Sequence, residues 1–319
     1  MPKRSPTPPS RRLAALLAVA AALTSCTRED VGENRPRATT RRSAAAATAS
    51  STIAVGDDSP LIVAAGDVAC RAGMPPGSGQ CQQEATAALI ESMHPAAVLA
   101  VGDLQYERGE KANFDSSYAA SWGRFKGITH PAVGNHEWAT SNASGYRTYF
   151  PSAVAGGRTY YSFDVGNWHL IALDSNCRSV GGCQAGSPQE GWLRADLVAH
   201  PDRCTLAYWH HPRWSSGYHH SDDGYDAFWQ ALAGAGADIV ISGHDHHYER
   251  FGPDRGIRQF VVGTGGRSLY PVFGLERRSE VRDSNTFGVL ALRLGESGYS
   301  WRFLPAAGGT FTDEGSAGC

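Results

Sequence analysis

Several things are missing from this 319-residue sequence, and each absence narrows what the chain can be. No apolar run is long enough to cross a bilayer. The best candidate, Leu13 to Leu23, has eleven residues, where a spanning helix needs about 20. No GxxxxGK[ST] pattern occurs, so nucleotide hydrolysis of the Walker kind is not suggested. No CxxC pair occurs, which argues against a zinc finger. There is no internal repeat and hence no solenoid or propeller signature. Excess positive charge is also missing. Positions 1–58 hold nine of the 29 basic and five of the 31 acidic residues, so the remainder carries 20 against 26, near −6. A nucleic-acid-binding surface is therefore not expected.

The composition that is present, 41% hydrophobic and 19% charged, suits one large globular domain or two small ones. The first 26 residues read as an export signal: basic "MPKRSPTPPSRR", a short apolar stretch, then "LTSC" ending at Cys26. That ending resembles a bacterial lipobox, which implies an exported protein held at the outer face of the cell membrane by a lipid on Cys26, or else a secreted one. Residues 27–58 lack apolar periodicity and read as a disordered tether. The folded domain is expected over 59–319. It contains six cysteines, an even number that suits disulfides in an exported chain. Six cysteines allow 15 pairings. Short loop closure favours Cys70–Cys81 and Cys177–Cys183, leaving Cys204–Cys319.

From residue 61 onward, short apolar runs alternate with helix-like stretches near 82–93, 112–125, 188–199 and 223–234. The runs "LIVAAGD", "AAVLAVGD", "THPAVGNHE", "CTLAYWHHP" and "DIVISGHDH" read as buried, partly parallel strands. Further runs such as "WHLIALD", "RQFVVGTGG" and "GVLALRL" look like meander strands. The total is too many for one sheet. An α/β fold of two mixed β-sheets packed face to face, with helices on the outside, is predicted. Asp67, Asp103, Asn135, His210 and His244 each stand at the C-terminal end of an apolar run, where α/β sheets bind ligands.

These are oxygen and nitrogen donors of intermediate hardness, suited to iron, zinc or manganese. The segment "GHDHHYER" (Gly243 to Arg250) contains three histidines, His244 among them. On an extended backbone, His244 and His246 would project to the same side, with His247 facing away as a hydrogen-bonded support. His211 is the spare of "HHP". Glu137 and Asp245 are expected to orient neighbouring imidazoles, and Glu249 and Arg250 to form a structural pair.

In order along the chain, "GDV", "GDLQYE", "GNHE", "HHP" and "GHDHHYER" resemble the motifs of calcineurin-like metallophosphoesterases. Tyr106, three residues after Asp103, narrows the resemblance to the purple acid phosphatase branch. It covers Asp67 to Arg250, with "VVGTGG" as a weaker companion.

The resemblance implies two metal ions, iron(III) with iron(II), zinc(II) or manganese(II). Asp67, Tyr106 and His246 would hold one metal, Asn135, His210 and His244 the other, and Asp103 would bridge. It implies hydrolysis of small phosphate monoesters by a metal-bound hydroxide. His136 would act at the phosphate, and His219 and His220 over the substrate, with His220 slightly ahead as proton donor. A phosphodiesterase acting on nucleotides or phospholipid head groups is the alternative. A non-catalytic phosphate-binding lipoprotein is a remote one. The chain departs from the large plant enzymes in having "SDDG" after the His pair and no room in its tether for an extra β-domain. Oligomeric state is not legible.

Overall fold

The computed structural model of the protein describes residues 55–319 apart from 78, 202 and 307. The expected signal segment and residues 27–54 of the expected tether lie outside the described residues. Residues 55–58 lead into the domain through a turn in which Ser59 N donates to Gly56 O.

Thirteen strands make two sheets among the described residues. In chain order they are β1 Leu61–Ala65, β2 Ala97–Val101, β3 Thr129–Ala132, β4 Tyr161–Val165, β5 Trp168–Ala172, β6 Cys204–Tyr208, β7 Ile239–Ser242, β8 Tyr248–Phe251, β9 Arg258–Val262, β10 Ser279–Asp283, β11 Gly288–Leu294, β12 Gly298–Pro305 and β13 Asp313–Gly318. The first sheet runs β13-β12-β11-β1-β2-β3 and the second β10-β8-β9-β7-β6-β5-β4. In the first, β1, β2 and β3 are parallel and the other strands antiparallel. In the second, β5, β6, β7 and β9 are parallel, with antiparallel strands at both margins. Both sheets are mixed, as predicted.

Strand periodicity assigns the layers. Leu206 and Tyr208 of β6, with Ile239 and Ile241 of β7, join Ile62, Leu99 and Leu290 of the other sheet in the central core. The residues between them, Ala207 and Val240, face outward and meet Leu193, Leu197, Phe228 and Leu232 of the two outer helices. Successive strand residues point to opposite faces, so one strand serves both layers. The outer helices are Pro188–Ala199 and Asp226–Gly234. The first is started by Ser187, whose hydroxyl accepts from Glu190 N, with Pro188 in the first turn. The helix Gln83–Met93 buries Thr86, Ala87 and Ile90. No helix among the described residues is long and apolar enough to cross a membrane.

The helix expected over 112–125 is broken into a short turn at Lys111–Asn113, a wide turn at Phe114–Tyr118 and a tight one at Trp122–Ile128. The physical reason lies outside the segment. Tyr118 N donates to Gln105 Oε1 at 3.0 Å, and Ala119 N reaches back to Phe114 O, one residue further than an α-helical bond. Such an intrusion into the hydrogen-bond ladder widens or ends a helix. Disulfides join Cys70–Cys81 and Cys177–Cys183, the pairs that short loop closure favours, and Cys204–Cys319, the pair left over.

Candidate metal centre

Each strand that carries a candidate ligand ends in a turn that throws the side chain inward. Asp67 follows β1, Asp103 follows β2 and His244 follows β7. All three have positive φ, at 61°, 50° and 69°. Non-glycine residues rarely adopt that region, and outliers of this kind cluster where the surrounding structure over-determines them. The glycines just before His244 and Asn135 are required by close approach. A Cβ on Gly243 would stand 2.6 Å from Asp67 Oδ2, and one on Gly134 would collide with the Asp103 carboxylate. The two sheets are stitched together at this edge, where Gly66 N donates to Val262 O at 2.9 Å.

The side chains converge. The Tyr106 hydroxyl lies 2.8 Å from Asp67 Oδ1, 3.1 Å from Asp103 Oδ2 and 3.0 Å from His246 Nε2. His210 Nε2, from the other sheet, lies 3.1 Å from the same Asp103 Oδ2 without the alignment of a hydrogen bond. His244 packs edge-on to His210 with ring centroids 5.0 Å apart. Its backbone N–H donates to Asp67 Oδ2 at 2.8 Å. Asn135 opens the turn beside Asp103, since the next residue's N–H, that of His136, donates to Asp103 Oδ1 at 2.8 Å. The Asn135 Oδ1 is buried and has no hydrogen-bond partner. Buried polar atoms are seldom left without one, so Asn135 Oδ1 and His210 Nε2 are two acceptors lacking a cation rather than a donor.

Charge points the same way. Burial raises the Asp103 carboxyl, but His210, His136 and His244 outweigh it and hold the group well below the usual carboxylate range. Burial, then the charges of Asp103 and Asp67, push the Tyr106 phenol well up. Burial opposes a charged His210, yet the Asp103 carboxylate beside it raises the imidazole to about 10. His244 is held far below its ordinary value by burial and by His210 and His211. The cluster thus has ionised carboxylates, a phenol lacking a counter-charge and imidazole lone pairs. A bound cation would replace the proton on His210 and compensate the carboxylates. His210 Nδ1 donates to Val101 O at 2.9 Å, which aims Nε2 inward. His246 Nδ1 meets Ser268 Oγ at 2.9 Å and likewise turns Nε2 inward. Two overlapping groups, Asp67–Asp103–His210 and His210–His211–His244, each bring their donor atoms within 4.8 Å of one another. The residues fit a pair of cations.

The remaining predicted residues sit around the rim. His136 Nε2 is 3.7 Å from Asp103 Oδ2, and its ring lies 4.2 Å from that of Tyr106. His219 stands over His244, ring centroids 4.0 Å apart. His220 is exposed, with φ 64°, and makes no hydrogen bond or ring contact with this cluster. Of the pair, His219 is the one whose ring meets the cluster, and the chain turns at His220. His211 bonds Ser175 Oγ at 2.7 Å, with its ring 4.3 Å from His244.

Four other expectations change. His244 and His246 do not share a side through an extended backbone. Two tight turns, Asp245 N to Gly243 O and His247 N to Asp245 O, bring both into the pocket instead. Glu137 orients no imidazole. Its carboxylate accepts the N–H groups of Asp103, Leu104, Gln105 and Gly134 at 2.9–3.2 Å. Asp245 accepts from His219 N and from the Ser215 hydroxyl, holding a backbone rather than a ring. Glu249 and Arg250 do not pair with each other. They are neighbours on β8 and so face opposite ways: Glu249 binds His247 and Ser216, and Arg250 binds Asp313 and Glu280.

Two functional neighbours had no sequence signal beyond following "VVGTGG". They are Ser268, on His246 Nδ1, and Tyr270, whose ring lies flat on His246 at 4.0 Å and 7°.

Residues 60–248 match the family described as calcineurin-like phosphoesterase. An uncharacterized protein of Mycobacterium tuberculosis is 33% identical over 194 residues, covering 53% of this chain and 35% of that one. Purple acid phosphatase 22 of Arabidopsis thaliana is 27% identical over 197 residues, covering 52% and 42%. The purple acid phosphatase PPD1 of yellow lupin superposes with a TM-score of 0.64 at 19% identity, covering 81% of this chain and 53% of that one. The matched chain thus spans well under half the length of these curated relatives.

Proposed function

Because the chain belongs to the calcineurin-like phosphoesterase family, on its purple acid phosphatase-like branch, we propose that it is an exported dimetal phosphatase acting on small phosphate monoesters. The observation that carries this reading is the position of Asp103 Oδ2. It is 3.1 Å from Tyr106 OH on one side and 3.1 Å from His210 Nε2 on the other, with the two partners supplied by different sheets. That position would suit a carboxylate shared by two metal ions.

Asp67, Tyr106 and His246 would hold one cation, and Asn135, His210 and His244 the other. Tyr106 favours iron(III) at the first position with a divalent iron, zinc or manganese partner. When bound, such a pair polarises a phosphoryl group and lowers the pKa of an attacking water. The protein's own groups do the rest. His136, at the mouth beside Asp103, hydrogen-bonds the phosphate. His219, above His244, gives a proton to the departing oxygen, a transfer worth typically 10²–10⁴-fold. Glu137 fixes the turn that presents Asp103. A lipid anchor on Cys26, as the sequence implies, would suit a site outside the cell, and so do the three disulfides.

The deciding experiment is a turnover assay of the metal-loaded protein on p-nitrophenyl phosphate and bis-p-nitrophenyl phosphate side by side, with metal analysis and a visible spectrum. Faster monoester turnover and a phenolate-to-iron(III) band lost in Tyr106→Phe are expected. Diester preference would move the assignment to a phosphodiesterase, and full activity in Asp103→Ala would refute the bridging role.

A further inference from the structure

Four large apolar side chains are strongly exposed among the described residues, and two of them, Tyr218 and Phe273, belong to a row of rings that starts at the metal centre. Tyr218 is 59% exposed, Phe273 63% and Leu275 67%. The fourth, Val198, lies away on an outer helix. From His244 a row of rings leads outward: His219 at 4.0 Å, then Tyr218 at 5.1 Å from His219, then Phe273 at 6.0 Å from Tyr218. A second row leads from His246 through Tyr270 to Tyr218, at 4.0 and 6.1 Å. The rings are not on a loose loop. Phe273 N and Gly274 N both donate to Ser216 O, Glu276 N donates to Ser216 Oγ at 2.8 Å, and Tyr270 N donates to His246 O at 2.9 Å. Ser216 is itself gripped by the buried Glu249. Aromatic surface held in water at the rim of a polar pocket marks a binding surface.

We propose that this aromatic rim receives the organic part of the substrate and selects phosphate esters that carry a planar ring close to phosphorus, from a phenol or a nucleoside, over aliphatic esters. The inference rests on the phosphatase reading above. If His219 protonates the departing oxygen, whatever that oxygen is attached to continues toward the residue next in line, which is Tyr218. A ring there meets Tyr218, Tyr270 and Phe273 edge-on or stacked, the arrangements aromatic pairs prefer.

The test compares kcat/KM of metal-loaded wild type, Tyr218→Ser, Phe273→Ser, the double variant, Tyr218→Phe and Val198→Ser. The substrates are phenyl phosphate, adenosine 5′-monophosphate and glycerol phosphate. Each substrate is compared with itself across enzymes, so leaving-group reactivity cancels. The ring-to-aliphatic ratio should fall about tenfold in the double variant, mainly through KM. It should survive in Tyr218→Phe and be unchanged in Val198→Ser. Loss confined to phenyl phosphate, or to the nucleotide, tells which ring source the rim fits. An unchanged ratio overturns the proposal. So does an unchanged ratio accompanied by lost binding to anionic phospholipid vesicles, which would assign the rim to a membrane. If wild type hydrolyses none of the three esters, the phosphatase reading fails separately. The rim is then judged by calorimetry with phenylphosphonate against methylphosphonate, where equal affinity sinks it.

Discussion

The Glu137 carboxylate receives the backbone N–H of Asp103, from 34 positions earlier, at 3.0 Å and is wholly buried in doing so. With the N–H groups of Leu104, Gln105 and Gly134 on the same two oxygens, it is the peg on which the Asp103 turn hangs. Burial first, then the Asp103 charge, lift its own pKa to about 7. Glu137→Gln replaces one acceptor with an NH₂ that faces donors. It should cost about 1–3 kcal/mol of stability and weaken metal binding about 10–100-fold. Urea denaturation and equilibrium dialysis measure the two effects, and unchanged metal affinity would show that Asp103 holds its pose unaided.

His219, not its neighbour, stands at His244. His219→Ala should therefore slow esters of poor leaving groups by about 10²-fold or more and p-nitrophenyl phosphate far less, since that leaving group needs little protonation. His220→Ala should leave this dependence alone. A plot of kcat against leaving-group pKa for both variants checks it. A steeper slope in the His220 variant would restore the opposite assignment.

Cys204 opens β6 and Cys319 closes the chain just beyond β13, so their disulfide spans 115 positions. It also lies at the opposite end of β6 from His210. Cys204→Ser with Cys319→Ser should lower stability by about 2–5 kcal/mol while leaving metal content intact. Thermal unfolding and metal analysis of the double variant report both.

A second titrating cluster sits far from the metal centre. His169 on β5 is buried between Asp164 at 2.9 Å and Asp196 at 2.8 Å. Burial disfavours its charge, but the two carboxylates prevail and raise its pKa. Asp196 is lowered, burial being outweighed by His169, Ser162 and His200. A raised histidine contributes stability that is complete below its unfolded value of about 6.5 and lost as pH rises through the folded value. A lowered aspartate contributes above about 3.9 and loses it as pH falls. The pair should thus help most between about pH 4 and 6.5. The Tm difference between wild type and His169→Gln should be largest there and shrink toward alkaline pH. A difference that grows with pH would contradict the ion-pair account.

How much of this was legible beforehand follows physical range. Strands, their buried faces and the turns at their ends are encoded over five to ten residues. Apolar alternation together with Gly-Asp, Gly-Asn and Gly-His steps therefore announced both sheets and the convergence of Asp67, Asp103, Asn135, His210 and His244. The break in the helix expected over 112–125 is not legible in that window, because Gln105, which accepts from Tyr118 N, lies outside it.

Local chemistry, then, was in the sequence by itself: which side chains could hold cations, and at which strand ends they stand. Tertiary packing alone decided who their companions are. Ser268 reaches His246 across 22 positions and His244 N reaches Asp67 across 177. Which of His219 and His220 lies against His244 likewise depends on contacts across 25 positions. Hydrogen bonds and ring contacts act over about 3–5 Å in space, whatever the separation along the chain, so only the closure of two sheets onto one edge could settle them.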